Sequence, residues 1–142
     1  MTPQQSAPQS ETKKRFAEIL REFKDANYGK KVSLARAVWA QSDIRANLLQ
    51  FLEDSDSIVR FRACFILAVI SEEEPEAIRP FVPKLIQLLR DRSYNSTSIR
   101  SQSVFALLNM ARKAPDAIQA AMAKLVHRLT DYDEYHVKWY WP

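Results

Sequence analysis

Glycine is nearly absent from this chain: Gly29 stands alone among 142 residues. Hairpins and tight turns lean on glycine where the backbone needs a positive φ, so a chain that avoids it is expected to be all-helical. A single glycine also excludes a glycine-rich phosphate loop. Cysteine is as scarce. Cys64 is the only one, which rules out an intramolecular disulfide and a zinc cluster of cysteine spacing. It sits among Ala63, Phe65, Ile66 and Leu67 and reads as a small core residue rather than a reactive thiol. There are two histidines, His127 and His136. His127 and Asp131 are spaced i, i+4, a conceivable metal pair, but they read more simply as a solvated helix face. No Ser/His/Asp signature stands out. The expectation is no metal, no cofactor and no catalytic residue.

Long apolar runs are missing too. None reaches the ~18 residues of a membrane span. The opening stretch, "MTPQQSAPQSETKKR", lacks the apolar middle of a secretory signal. Residues 1–10, rich in Pro, Gln and Ser, are expected to be a disordered tail. The setting expected from this is cytoplasmic, or nuclear in a eukaryote, with no membrane partner. The net charge of +4 permits an acidic partner without demanding one. Phosphate binding would need many aligned Lys and Arg. Here basic and acidic residues alternate, as in "LREFKD" and "LRDR", and the strongest basic clusters are Lys13-Lys14-Arg15 and Lys30-Lys31. Nucleic acid is therefore the second choice of partner.

What the chain does have is a repeat. "EPEAI" at 74–78 returns as "APDAI" at 114–118. Val59, Arg60, Phe65, Leu67 and Ile70 correspond to Ile99, Arg100, Phe105, Leu107 and Met110, and Val82, Lys84, Leu85 and Asp91 to Met122, Lys124, Leu125 and Asp131. "LLQFLED" at 48–54 matches "LIQLLRD" at 85–91, where the connection "SDSI" is shorter than "RSYNSTS". Self-similarity at such a period marks stacked repeats. Each unit reads as two helices, from the spacing of Leu85, Leu88 and Leu89 and of Val59, Ala63, Leu67 and Ile70. Pro75 and Pro115 suit a first helical turn, with Glu76 and Asp116 favourable beside them. Asp54, Asp91 and Asp131 mark the turns, with Ser57 and Ser98 as N-caps of the second helices. Helices are expected at about 11–26, 31–41, 43–53, 57–71, 75–90, 97–113, 115–130 and 134–140. One domain, 11–142, holds them: a degenerate unit at 11–41, units at about 43–74 and 75–114, and an incomplete unit at 115–142.

The pattern Asp54…Val59-Arg60…Ala63…Leu67, followed by Pro83…Asp91…Ile99-Arg100…Ser103…Leu107, resembles a HEAT repeat. The last unit keeps Asp131…Val137-Lys138, with Lys for Arg. The resemblance covers residues 43–142 well; Phe16, Ile19, Leu20 and Phe23 carry the degenerate first unit. It implies a short right-handed α-solenoid with its second helices on the concave side. It also implies a bend at Pro83 and an Asp/Arg ladder between units: Asp54, Arg60, Asp91, Arg100 and, more weakly, Asp131 and Lys138. The implied function is a protein-interaction scaffold or adaptor. Nucleic-acid adaptors and small enzymes of the bilin lyase kind share the architecture, as do certain DNA glycosylases with a Trp- and Asp-lined groove. Trp39 and Asp43 are spaced i, i+4, but Trp39 reads as core. The four glutamates of "SEEEPEAIR" read as a solvated loop.

The helix at 57–71 is apolar almost all round, with Phe61, Phe65 and Val69 opposite its core positions. Either neighbours cover this second face or it forms, with Phe105, an open groove for a protein or peptide. The groove residues would be Phe61, Arg62, Phe65, Val69, Gln102, Phe105, Asn109 and Lys113, whose basic members suit an acidic partner. At the other end "DYDEYHVKWYWP" carries Tyr135, Trp139, Tyr140 and Trp141. End repeats usually wear a polar outer face. These aromatics are expected either to cap the stack or to form an interface, self-association included.

Overall fold

Asn27 accepts a hydrogen bond from the Lys30 N–H at 2.8 Å and so starts a helix earlier than apolar spacing suggests. The structure is a computed structural model that describes residues 9–93 and 96–132, with side chains for 11–93 and 96–123. Over those residues it is helical without strands. The elements are α1 (Gln9–Lys24), α2 (Tyr28–Trp39), α3 (Ser42–Phe51), α4 (Ser57–Glu73), α5 (Pro75–Ile78), α6 (Val82–Leu88), α7 (Ser96–Lys113) and α8 (Pro115–Tyr132). No described residue takes a positive φ, and Gly29 sits inside α2. The scarcity of glycine therefore fits: every described connection uses backbone that any residue can adopt.

Several boundaries differ from expectation. α1 begins at Gln9, inside the expected tail. Asp56, not Ser57, caps α4 by accepting from the Ile58 N–H at 2.9 Å, and Ser98 lies within α7 rather than before it. Pro75 and Pro115 do open α5 and α8. The continuous helix expected at 75–90 is broken by a 3₁₀ turn at Arg79–Phe81. The break centres on Pro80 rather than on the expected Pro83. Neither proline has an N–H to donate four residues back, so the ladder loses two bonds within one turn. The helix expected at 134–140 lies outside the described residues.

Packing follows the repeat. Phe65 meets the edge of Tyr28 (ring centroids 6.4 Å), and eight residues on in each helix Glu73 meets Arg36 at 2.6 Å. α2 and α4 thus run in the same direction. Cys64 Sγ lies 3.7 Å from Ser103 Oγ, and the Asn109 amide donates to Ser71 Oγ at 3.0 Å, so α7 continues the parallel row. α3 packs against α1, α2 and α4, while α6 packs against α7 and α8. α4 is the middle member, and its residues from Ala63 to Ser71 are all buried. That explains why it is apolar nearly all round: α1, α2, α3, α5 and α7 all pack on it. Trp39 is buried, edge-on to Phe81 (6.3 Å) and beneath the Arg45 guanidinium (5.4 Å). Asp43 turns away from it and pairs with Arg15. The pair is therefore a core residue and an ion-pair partner, not a groove lining. No described helix is long and apolar enough to cross a membrane.

Candidate interaction groove

The sequence repeat places Arg62, Phe65, Val69 and Glu72 of α4 in register with Gln102, Phe105, Asn109 and Arg112 of α7. Spaced i, i+3, i+7 and i+10, each set lies on one helical face. The structure brings these faces together around a groove of about 420 Å³, with Tyr28 and Val32 of α2 as its far wall. Phe65, Val69, Gln102, Phe105 and Asn109 line it as expected. Phe61, Arg62 and Lys113 do not. Arg112, expected on its basic rim, lines it too, and Tyr28, Val32, Ala68, Glu72 and Leu108 line it without having been anticipated as groove residues.

The groove is open only in part. Phe65 and Val69 are buried, so the stripe expected along α4 is a floor rather than a free surface. Phe65 is held by the edges of Phe23 (6.1 Å) and Tyr28 (6.4 Å). The walls are exposed: Phe105 by 58% and Tyr28 by 72%. The difference between Phe65 and its equivalent Phe105 comes from position in the row. α4 has α2 beside it, whereas no described helix lies beyond α7. The Asn109–Ser71 bond continues from the Ser71 hydroxyl to the Ala68 carbonyl at 2.6 Å, which fixes α7 against α4 at depth. Lys113 reaches back to the Glu72 carbonyl, a helix-end contact rather than a groove one.

Arg62 lies one turn from Phe65. Its guanidinium packs over Phe61 (4.9 Å) and Phe23 (5.3 Å). Burial pulls its pKa below the ordinary arginine value. No acceptor among the described residues takes its hydrogen bonds. Cys64 is inert: burial pushes its thiol up to about 12, and it faces Ser103. Among the described residues no three His, Cys, Asp or Glu side chains come together as a metal site.

The ladder is partly as expected. Arg60 Nε binds the Asp91 carboxylate of the next unit at 3.0 Å, both side chains being mostly buried. Its Nη1 binds the Asp54 carbonyl at 2.6 Å, and Arg100 Nη1 makes the equivalent bond to the Asp91 carbonyl at 2.7 Å. Asp54 and Asp91 each accept from the N–H two residues on, at 2.8 and 2.9 Å. The Asp54 carboxylate pairs with Lys13 of α1 at 2.7 Å. Elsewhere Arg79 joins Glu76 and Asp116, linking the two matching helix starts. Asp131's side chain, Lys138, Tyr135, Trp139, Tyr140 and Trp141 lie outside the described residues.

These carboxyls set a pH dependence. Burial would raise Asp54 and Asp91. The Lys13 ammonium at Asp54, and Ser93 with Arg60 at Asp91, outweigh it and hold both below the usual carboxylate range. The Arg15 hydrogen bond lowers Asp43 likewise. A carboxyl depressed on folding contributes stability that is complete above its unfolded pKa of about 3.9 and fades as pH falls through the folded value. Melting temperature is expected to fall below about pH 4, and Asp91→Asn should flatten part of that fall. Calorimetry from neutral to acidic pH checks this; an acid limb in Asp54→Asn and Asp91→Asn identical to that of the unsubstituted protein would refute it.

No protein-family model, curated protein or solved structure matches this chain.

Proposed function

We propose that the protein is an interaction module, a short right-handed α-solenoid of HEAT-like hairpins whose row of second helices takes a peptide segment of another protein. The observation that carries this reading is the groove: equivalent faces of α4 and α7 converge with α2 on one apolar trough with exposed walls. A trough with an aromatic floor and polar ends fits a partner offering apolar anchors. Arg112 favours an acidic residue beside those anchors, with Glu72 limiting the negative charge that end accepts. A cytoplasmic setting, nuclear in a eukaryote, belongs to the same proposal.

The test is a titration of the isotopically labelled protein with peptides selected against it from a random library. NMR shifts should cluster at Tyr28, Gln102, Phe105 and Asn109 and spare Leu49 and Ile58, which are exposed elsewhere. Shifts centred on Leu49 or Ile58 would overturn the groove. Binding only to oligonucleotides, weakening steeply with salt, would favour the nucleic-acid reading instead.

A further inference from the structure

Arg62 is half-buried, and its charge meets no carboxylate among the described residues. Its guanidinium stacks on Phe61 at 4.9 Å and on Phe23 at 5.3 Å. Stacking occupies the faces of the ion, while its N–H donors lie in the plane, at the edges. The residues within helical reach on α4 are Ile58, Val59, Phe65 and Ile66, none of which carries a side-chain acceptor. Arg15, Arg36, Arg60 and Arg79, by contrast, each meet a carboxylate. A guanidinium drawn partly out of water without an acceptor is half of an ion pair.

Its place in the row gives that half a use. Arg62 stands one turn before Phe65, and its equivalent one unit on, Gln102, lines the groove. The Cys64–Ser103 contact sets Arg62 and Gln102 at about the same height along their parallel helices. Phe23, which carries the guanidinium, meets Phe65 on the groove floor at 6.1 Å. At ~3.3–3.6 Å per residue, an extended segment crosses from the floor to the guanidinium in about four residues or fewer.

We propose that Arg62 is a carboxylate-reading subsite just outside the groove, taking an aspartate or glutamate of the bound segment that lies within about four residues of an apolar anchor seated between Tyr28 and Phe105. This rests on the reading of the groove as a peptide site and adds to it a fixed spacing between acid and anchor. A carboxylate fits because its two oxygens meet two edge N–H groups at once. The rings beneath already hold the guanidinium, so little side-chain freedom is lost on binding. At the other end Arg112 shares the groove with Glu72, and their opposite charges offset each other. Arg62 is therefore the stronger draw for an acid.

The experiment takes the peptides selected from the random library to the unsubstituted protein, Arg62→Gln and Arg112→Gln. The peptides should share an acid at constant spacing from their apolar anchor. Changing that acid to its amide should weaken binding to the unsubstituted protein about tenfold, and binding to Arg62→Gln by less than about twofold. Peptides without a shared acid overturn the subsite, and so does an equal loss in both proteins. A loss abolished only by Arg112→Gln assigns the acid to the other end and overturns it too. Sensitivity to Phe105→Asp reads the groove separately. If it persists without coupling to Arg62, the subsite fails and the groove stands; coupling to Arg62 without it keeps the carboxylate site and removes the groove. Should Arg62→Gln not fold, the Arg62 Nε–H resonance of the unsubstituted protein decides. A downfield shift with the acid peptide but not with its amide supports the subsite; equal spectra overturn it.

Discussion

Phe65→Asp is expected to unfold the protein, while Phe105→Asp leaves it folded and removes peptide binding. The two residues are equivalent in the repeat and differ in what surrounds them. Phe65 is enclosed by Phe23, Tyr28 and the body of α4. Losing a buried phenylalanine costs about 3–5 kcal/mol, and a carboxylate forced into its place costs several more. That approaches the whole stability of a domain this size, about 5–15 kcal/mol. Phe105 is mostly in water, so aspartate there should change stability by no more than about 0.5–1 kcal/mol. Its loss from the groove wall should weaken a selected peptide by about a hundredfold, the scale of a binding hot spot worth ~2–3 kcal/mol. Urea unfolding and a peptide titration measure both effects. A Phe65→Asp protein of near-native stability would contradict the packing of α4, and unchanged peptide affinity in Phe105→Asp would remove the groove.

Arg60→Ala should lower stability by about 3 kcal/mol, the cost of leaving a buried carboxylate and carbonyl without their donor. Asp91→Ala should cost a similar amount, because it strands the guanidinium and also releases Ser93. The double variant should lose less than the sum, with a coupling of about 1–3 kcal/mol. Replacing both by apolar residues of similar volume is expected to recover much of the loss, since the pair's attraction barely exceeds the cost of drying it. Additive single effects would mean that the two units are held together by apolar packing alone. The same logic extends to Lys13 and Asp54, with a smaller effect because the Lys13 side chain is half exposed.

The repeat register was legible in the amino-acid order because stacked units bury the same positions. Pairing Phe65 with Phe105 from sequence was enough to place five of the eight expected groove residues in one trough. The misses have specific causes. Tyr28 stands beside Gly29, in what reads as a turn, until the Asn27 cap shows that α2 has already begun. Lys13 sits in a basic run that reads as a solvated helix face, and only the position of α1 brings it to Asp54. Arg62 and Lys113 point from the correct helices but are taken up, one by aromatic rings and the other by a helix-end carbonyl.

The sequence by itself determined that the described chain is helical, where the second helices begin to within a few residues, and which of their positions are equivalent. Local propensity and apolar periodicity suffice for that, because each is set within a turn or two of backbone. Tertiary structure alone decided which equivalent positions are buried and which are open. α4 and α7 carry nearly the same apolar pattern, yet burial depends on how many neighbours a helix has, and that number is written nowhere in its own eighteen or so residues.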